Sequence, residues 1–153
     1  MSDQSRTNQL LYQAELLAVS TAEDDEHATA RRMAQEEGAL ALFELALTSL
    51  LREVTEHARL SQHEWRYLLS DDGPAMAELQ RLRDLVHQPD SWLFWLVEQL
   101  NSLHSSDGAA KRRAANPSMI AVSDQASLGD QLVTQLNAAK REVAALRETS
   151  QEW

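Results

Sequence analysis

The chain of 153 residues has no cysteine. Disulfides, thiolate nucleophiles and thiolate metal sites are therefore excluded. Glycine and proline are scarce, at four and three residues. Gly38, Gly73, Gly108 and Gly129 stand alone, and none opens a Walker or dinucleotide loop. A Gly-x-Ser-x-Gly nucleophile elbow is missing as well. Long apolar runs are absent: the longest, Trp92–Val97 (WLFWLV), has six residues, whereas a membrane-spanning helix needs about twenty. The opening MSDQSRTNQL lacks a basic stretch followed by an apolar core, so no secretion signal is expected and a cytoplasmic setting is. Positive charge is the scarcer sign, with 14 Lys and Arg against 24 Asp and Glu, a net −10. Such a surface repels nucleic acid and anionic lipid and favours solubility. Neither nucleic acid nor membrane is expected as a partner.

What is present is helical periodicity. Leu, Ala, Gln, Glu and Arg are abundant, and all are helix formers. Alternating β-branched runs are missing, with Met119–Val122 (MIAV) the only short strand candidate. A first helix is expected from about Ser5 to Ser20. Leu10, Leu11, Ala14, Leu17 and Ala18 share one arc of it; Tyr12, Leu16 and Val19 share a second, weaker arc. The acidic run AEDDEH suits the positive end of a helix dipole, so a second helix should begin near Asp24 or Asp25. Nothing stops it firmly before Ser61. Gly38 costs it about 1 kcal/mol relative to Ala: either one long helix of about 35 residues runs through it or Gly38 marks a bend, and the continuous helix is the expectation. Leu40, Phe43, Leu47, Leu51, Val54 and Ala58 form its main stripe, and from Ala39 to Leu51 it is apolar nearly all round, the mark of a central element.

Trp65, Leu68 and Leu69 place a short helix before the break at Asp71–Pro74 (DDGP). A further helix is expected from Pro74 to about His87, with Ala75, Leu79, Leu82 and Val86 inward. His87–Asp90 (HQPD) interrupts it. Asp90 or Ser91 then caps a helix lasting to about His104. Residues Ser105–Asp124 lose all periodicity and read as a long, partly mobile loop. The last helix, about Gln125 to Thr149, carries Leu128, Leu132, Leu136, Ala139, Val143 and Leu146 on one stripe. The expected fold is all-α. It is an antiparallel bundle of about five to six helices in a single domain, 1–153. It has one long central helix, a long loop near 105–124 and a C-terminal amphipathic helix.

Signals of function are sparse. At about 100° per residue, Trp92, Leu93, Leu96, Val97, Leu100 and Leu103 form a normal core face. Phe94 falls opposite, beside Glu98, and Trp95 sits at the edge. Either another part of the chain covers Phe94, or Phe94 and Trp95 belong to an apolar patch that meets a protein partner or a second copy. Di-iron bundles use Glu-x-x-His on facing helices. Here the shorter acid gives Asp24-x-x-His27 and Asp84-x-x-His87, both in end turns, where solvated side chains complementing helix dipoles are the plainer reading. No metal or cofactor is expected. His57 reads as a partly buried, hydrogen-bonded side chain. It is followed by ARLSQ and His104 by SSDGA, not by the Lys and Gly that follow a phospho-accepting His. Lys111, Arg112 and Arg113 could attract phosphate or an acidic partner, but nucleic-acid affinity rests on more contacts than three; a solvated basic loop is the simpler account. Arg31 and Arg32 read as an ordinary exposed pair, spaced for helix salt bridges to Glu36 and Glu37.

Three stretches together carry a resemblance: Arg6–Ala14 (RTNQLLYQA), His87–Leu93 (HQPDSWL) and the final Glu152–Trp153 after an amphipathic helix. The chain resembles a family of small, uncharacterised helical proteins from gammaproteobacteria, classed as a domain of unknown function. The resemblance implies a bacterial, cytoplasmic setting and transfers no activity or ligand. The residues themselves favour a non-enzymatic protein–protein interaction or structural module. The alternative is a metal- or small-molecule-binding bundle.

Overall fold

The computed structural model describes residues 1–21, 23–112 and 126–151, with side chains of the last helix through Thr149. The described helices are α1 (Asp3–Val19), α2 (Ala28–Thr55), α3 (Trp65–Leu68), α4 (Ala77–Val86), α5 (Trp92–Leu103) and α6 (Leu128–Gln151). No strand occurs among the described residues, and none of their helices is long and apolar enough to cross a membrane. The candidate strand Met119–Val122, the remainder of the 105–124 loop beyond Arg112, the helix start at Gln125 and Trp153 lie outside the described residues.

α1 begins two residues earlier than Ser5, because the Ser2 hydroxyl accepts from the Ser5 N–H and caps the first turn. Leu10, Leu11 and Ala14 are buried, while Tyr12, Leu16 and Val19 remain outside. α2 lies antiparallel to α1: Thr7 meets Ser49 near one end, and Leu17 meets Gly38 near the other. The helix runs through Gly38 unbroken. A Cβ at Gly38 would stand 3.3 Å from Leu17 Cδ1, so this glycine allows the two helices to approach closely.

Both ends of α2 depart from expectation. It starts at Ala28 because Asp25 folds the acidic run into a turn: one carboxylate oxygen accepts from the His27 N–H and the other pairs with Arg31 at 2.6 Å. It stops at Thr55, whose hydroxyl donates back to the Leu51 carbonyl at 2.5 Å. The chain then tightens into a 3-10 turn over Glu56–Ala58, and Arg59 reverses it with a φ of 49°. His57 and Ala58 are consequently exposed; neither joins the inward stripe, and His57 is not partly buried.

α3, α4 and α5 form a second layer on α2. Trp65, Leu68 and Leu69 are buried as expected. α4 begins at Ala77, three residues after Pro74, since Met76 is still extended. Ala75 is exposed and Met76 packs on the core in its place. Arg83 is buried, donating from Nε and Nη2 to the Leu68 carbonyl and from Nη2 to that of Pro74. A Cβ on Gly73 would lie 2.5 Å from Arg83 Nη2, so the glycine makes room for this guanidinium as well as for the turn. Ser91 caps α5 by accepting from the Phe94 N–H, and Trp92 stacks on Phe43 with ring centres 6.1 Å apart.

α6 runs antiparallel to α1, with Gly129 beside the Ala18 carbonyl, Lys140 paired with Glu15 and Arg147 reaching Asn8. Leu132, Leu136, Ala139, Val143 and Leu146 close the core. Within residues 105–112, Ala109 and Ala110 are buried and the Ala109 N–H donates to Glu37, while Ser105, Ser106, Asp107, Lys111 and Arg112 are exposed. Gly108 turns with a φ of +74° against the same carboxylate. The architecture is a helical bundle, as the periodicity implies.

Candidate functional site

The residue pairs with metal-like spacing are dispersed. His27 caps α2 without a side-chain bond and pairs with Glu26; Asp24 is exposed beside it. Asp84 accepts from Gln80, and His87 lies 3.8 Å from Asp71 instead. Among the described residues no three His, Asp or Glu side chains converge on one point. Lys111 and Arg112 are exposed, and Arg113 is outside the described residues. The Lys111 carbonyl accepts from Arg32 Nη2 at 2.6 Å, so the basic stretch is tied to α2 by its backbone. Arg32 is accordingly not an ordinary exposed side chain.

Two polar clusters join elements that sequence spacing does not connect. Glu44 accepts from Trp65 Nε1 at 2.8 Å and faces His104 Nε2 at 3.0 Å, clamping α2 to α3 and to the end of α5. At one end of the α1–α2–α6 layer, the hydroxyl of buried Thr7, with one proton to donate, lies within hydrogen-bond reach of oxygens of Asp3, Ser49 and Glu53. Arg147 grips both oxygens of Glu53, at 2.6 and 3.2 Å, and bonds Asn8. Every oxygen named there has a partner, which makes the cluster a clasp between three helices.

The opposite end of the same layer is open. A cleft of about 960 Å³ lies between the last turn of α1, the first third of α2 and the first turns of α6. Leu17, Val19 and Val133 give it an apolar wall; Arg32, Glu36 and Asp130 give it charge. Glu36 is only 4 % exposed. Its Oε1 pairs with Arg32 Nη1, one helical turn away. Its Oε2 has no hydrogen-bond partner among the described residues. A buried carboxylate oxygen without a donor is costly; among the described residues the one other buried side-chain polar atom without a partner is Trp92 Nε1, in the core. The sequence holds a signal for that carboxylate. Glu36 stands four residues before Leu40 and seven before Phe43, so it occupies the stripe that Leu40, Phe43, Leu47 and Leu51 continue. Its spacing from Arg32 suggests a surface salt bridge and masks that position.

A second surface is apolar. Tyr12, Leu16 and Val19 are 59 %, 47 % and 55 % exposed, and at about 100° per residue they span roughly 60° of the α1 circumference. Ser5 and Asn8 extend the stripe toward the N-terminal end without charge, and both are exposed. The surplus at Phe94 and Trp95 is partly absorbed: Trp95 packs on the core and donates to Gln131 at 3.0 Å, and Phe94 is half-buried.

No curated protein and no solved structure matches the chain. Over residues 1–153 it matches a family of unknown function, DUF6586, and the chain belongs to that family.

Proposed function

We propose that this protein is a non-enzymatic helical interaction module that works without a cofactor in the cytoplasm. Its contact surface is the outer face of α1, taken by the same face of a second copy. The observation that supports the reading is the stripe Tyr12–Leu16–Val19, three large apolar side chains each about half exposed on one helix. Their spacing of four and three residues is that of a helix-pairing seam. Charge favours this face for self-association. A chain of net charge −10 repels its own copy over most of its surface, but Ser5, Asn8, Tyr12, Leu16 and Val19 bring no carboxylate to the contact. A two-fold axis near Tyr12 pairs the stripe with itself. The patch is small, so the dimer is of the transient class. Phe94 and Trp95 offer less, since Trp95 is engaged with Gln131.

Sedimentation equilibrium of the full chain tests this reading. The wild type should rise from monomer toward dimer mass with concentration, and Leu16→Glu should stay monomeric. Leu16 is about half exposed, so the substitution should change stability by no more than roughly 0.5 kcal/mol. A wild type that stays monomeric up to about 1 mM, or a Leu16→Glu variant that dimerises equally well, contradicts the proposal.

A further inference from the structure

We propose that the cleft between α1, α2 and α6 binds a small organic cation: a primary ammonium compound with a short apolar body. The Glu36 side chain is 5 % exposed, one oxygen is held by Arg32, and the other has no donor among the described residues. The residue lines the cleft. An ionised carboxylate removed from water needs donors on both oxygens. An N–H brought in by a ligand supplies the one that is missing. The terminal torsion of a Glu side chain is soft, so either oxygen can turn toward it.

The surroundings select the sign of the ligand. Among the described residues Asp24, Glu36 and Asp130 line the cleft against one cation, Arg32, and Arg32 is already committed to Glu36 and to the Lys111 carbonyl. Three acids facing one engaged base attract a cation and repel an anion. They do not make a metal site, because among the described residues no three such groups converge. Directional N–H bonding to one carboxylate, with the other charges as background field, is the chemistry that remains. Leu17, Val19 and Val133 then match a short methylene chain beside the charged head. The cleft shares Val19 with the α1 stripe; Glu36 and Val133 belong to the cleft and not to the stripe, so Leu16→Glu and Glu36→Gln test the two proposals separately.

Calorimetric titration of the full chain with n-butylammonium tests it, with n-butyrate and n-butanol as controls. The amine should bind saturably at one site per chain with a Kd below about 10 mM, and butyrate should not bind. Glu36→Gln keeps the shape and removes the charge, and it should weaken the amine about tenfold or more. Val133→Phe crowds the apolar wall of the cleft and leaves the Glu36 carboxylate in the chain; it should weaken the amine about tenfold or more, so the test holds even if the Gln variant fails to fold. Three results overturn the proposal: no saturable amine binding, equal affinity in Glu36→Gln, or equal affinity in Val133→Phe.

Discussion

The two ends of the α1–α2–α6 layer hold the same kind of ion pair and treat it differently. At one end Glu53 is gripped through both oxygens by Arg147 and accepts from the hydroxyl of buried Thr7. At the other, Arg32 satisfies one oxygen of buried Glu36 and leaves the second without a partner beside an open cleft. A closed network holds helices in register. A half-closed one costs stability, and that cost is retained where a further group can complete it. The comparison separates a structural polar cluster from a candidate binding one without reference to residue type, since both are Arg–Glu pairs.

The largest expected effect breaks the closed end. Arg147→Met leaves Glu53 with the Thr7 hydroxyl as its remaining donor among these partners and should cost about 2–3 kcal/mol in urea denaturation. Thr7→Val is smaller. It keeps the shape but strips the hydroxyl that bonds Asp3, Ser49 and Glu53, for about 1–2 kcal/mol. An equal loss from both would show that the carboxylate is not the centre of the clasp.

The smallest effect lies at the rim of the open end. Bonds from Arg31 and from the His27 N–H hold the Asp25 carboxyl below its ordinary pKa of 3.8. A depressed folded-state pKa stabilises the fold above the unfolded value and loses that contribution as pH falls through the folded one. Asp25→Asn should therefore lower Tm slightly near neutral pH, and its Tm should converge on the wild type in acid well below 3.8. A Tm gap unchanged by acid would mean the turn's geometry, not its charge, starts α2.

Periodicity made the helices legible. The stripe Leu40, Phe43, Leu47 and Leu51 and the stripe of α6 are buried as their spacing requires, because burial of a helix face is a local property of the sequence. What spacing missed is non-local. The Ala109–Ala110 stretch is apolar and short, and it docks only because Glu37 and Arg32 reach it from α2. Arg83 looks like a surface residue until the carbonyls of Leu68 and Pro74 converge on it. His57 looked half-buried only on the premise of a longer α2. The cleft combines residues more than 90 positions apart, from Leu17 to Val133, so no window of sequence contains it.

The contrast between the two ends is tested most directly by one matched pair of substitutions, Glu36→Leu and Glu53→Leu, compared by urea denaturation of the unliganded protein. Leucine at 36 continues the apolar stripe of α2 and removes a buried oxygen without a partner among the described residues, which offsets the bond Arg32 loses while it keeps the Lys111 carbonyl, so stability should change by no more than about 1 kcal/mol. Leucine at 53 removes the carboxylate that Arg147 grips through both oxygens and that the Thr7 hydroxyl reaches, and it should cost about 2 kcal/mol. Equal losses at both positions would contradict the account, because Glu36 would then be as fully satisfied within the fold as Glu53.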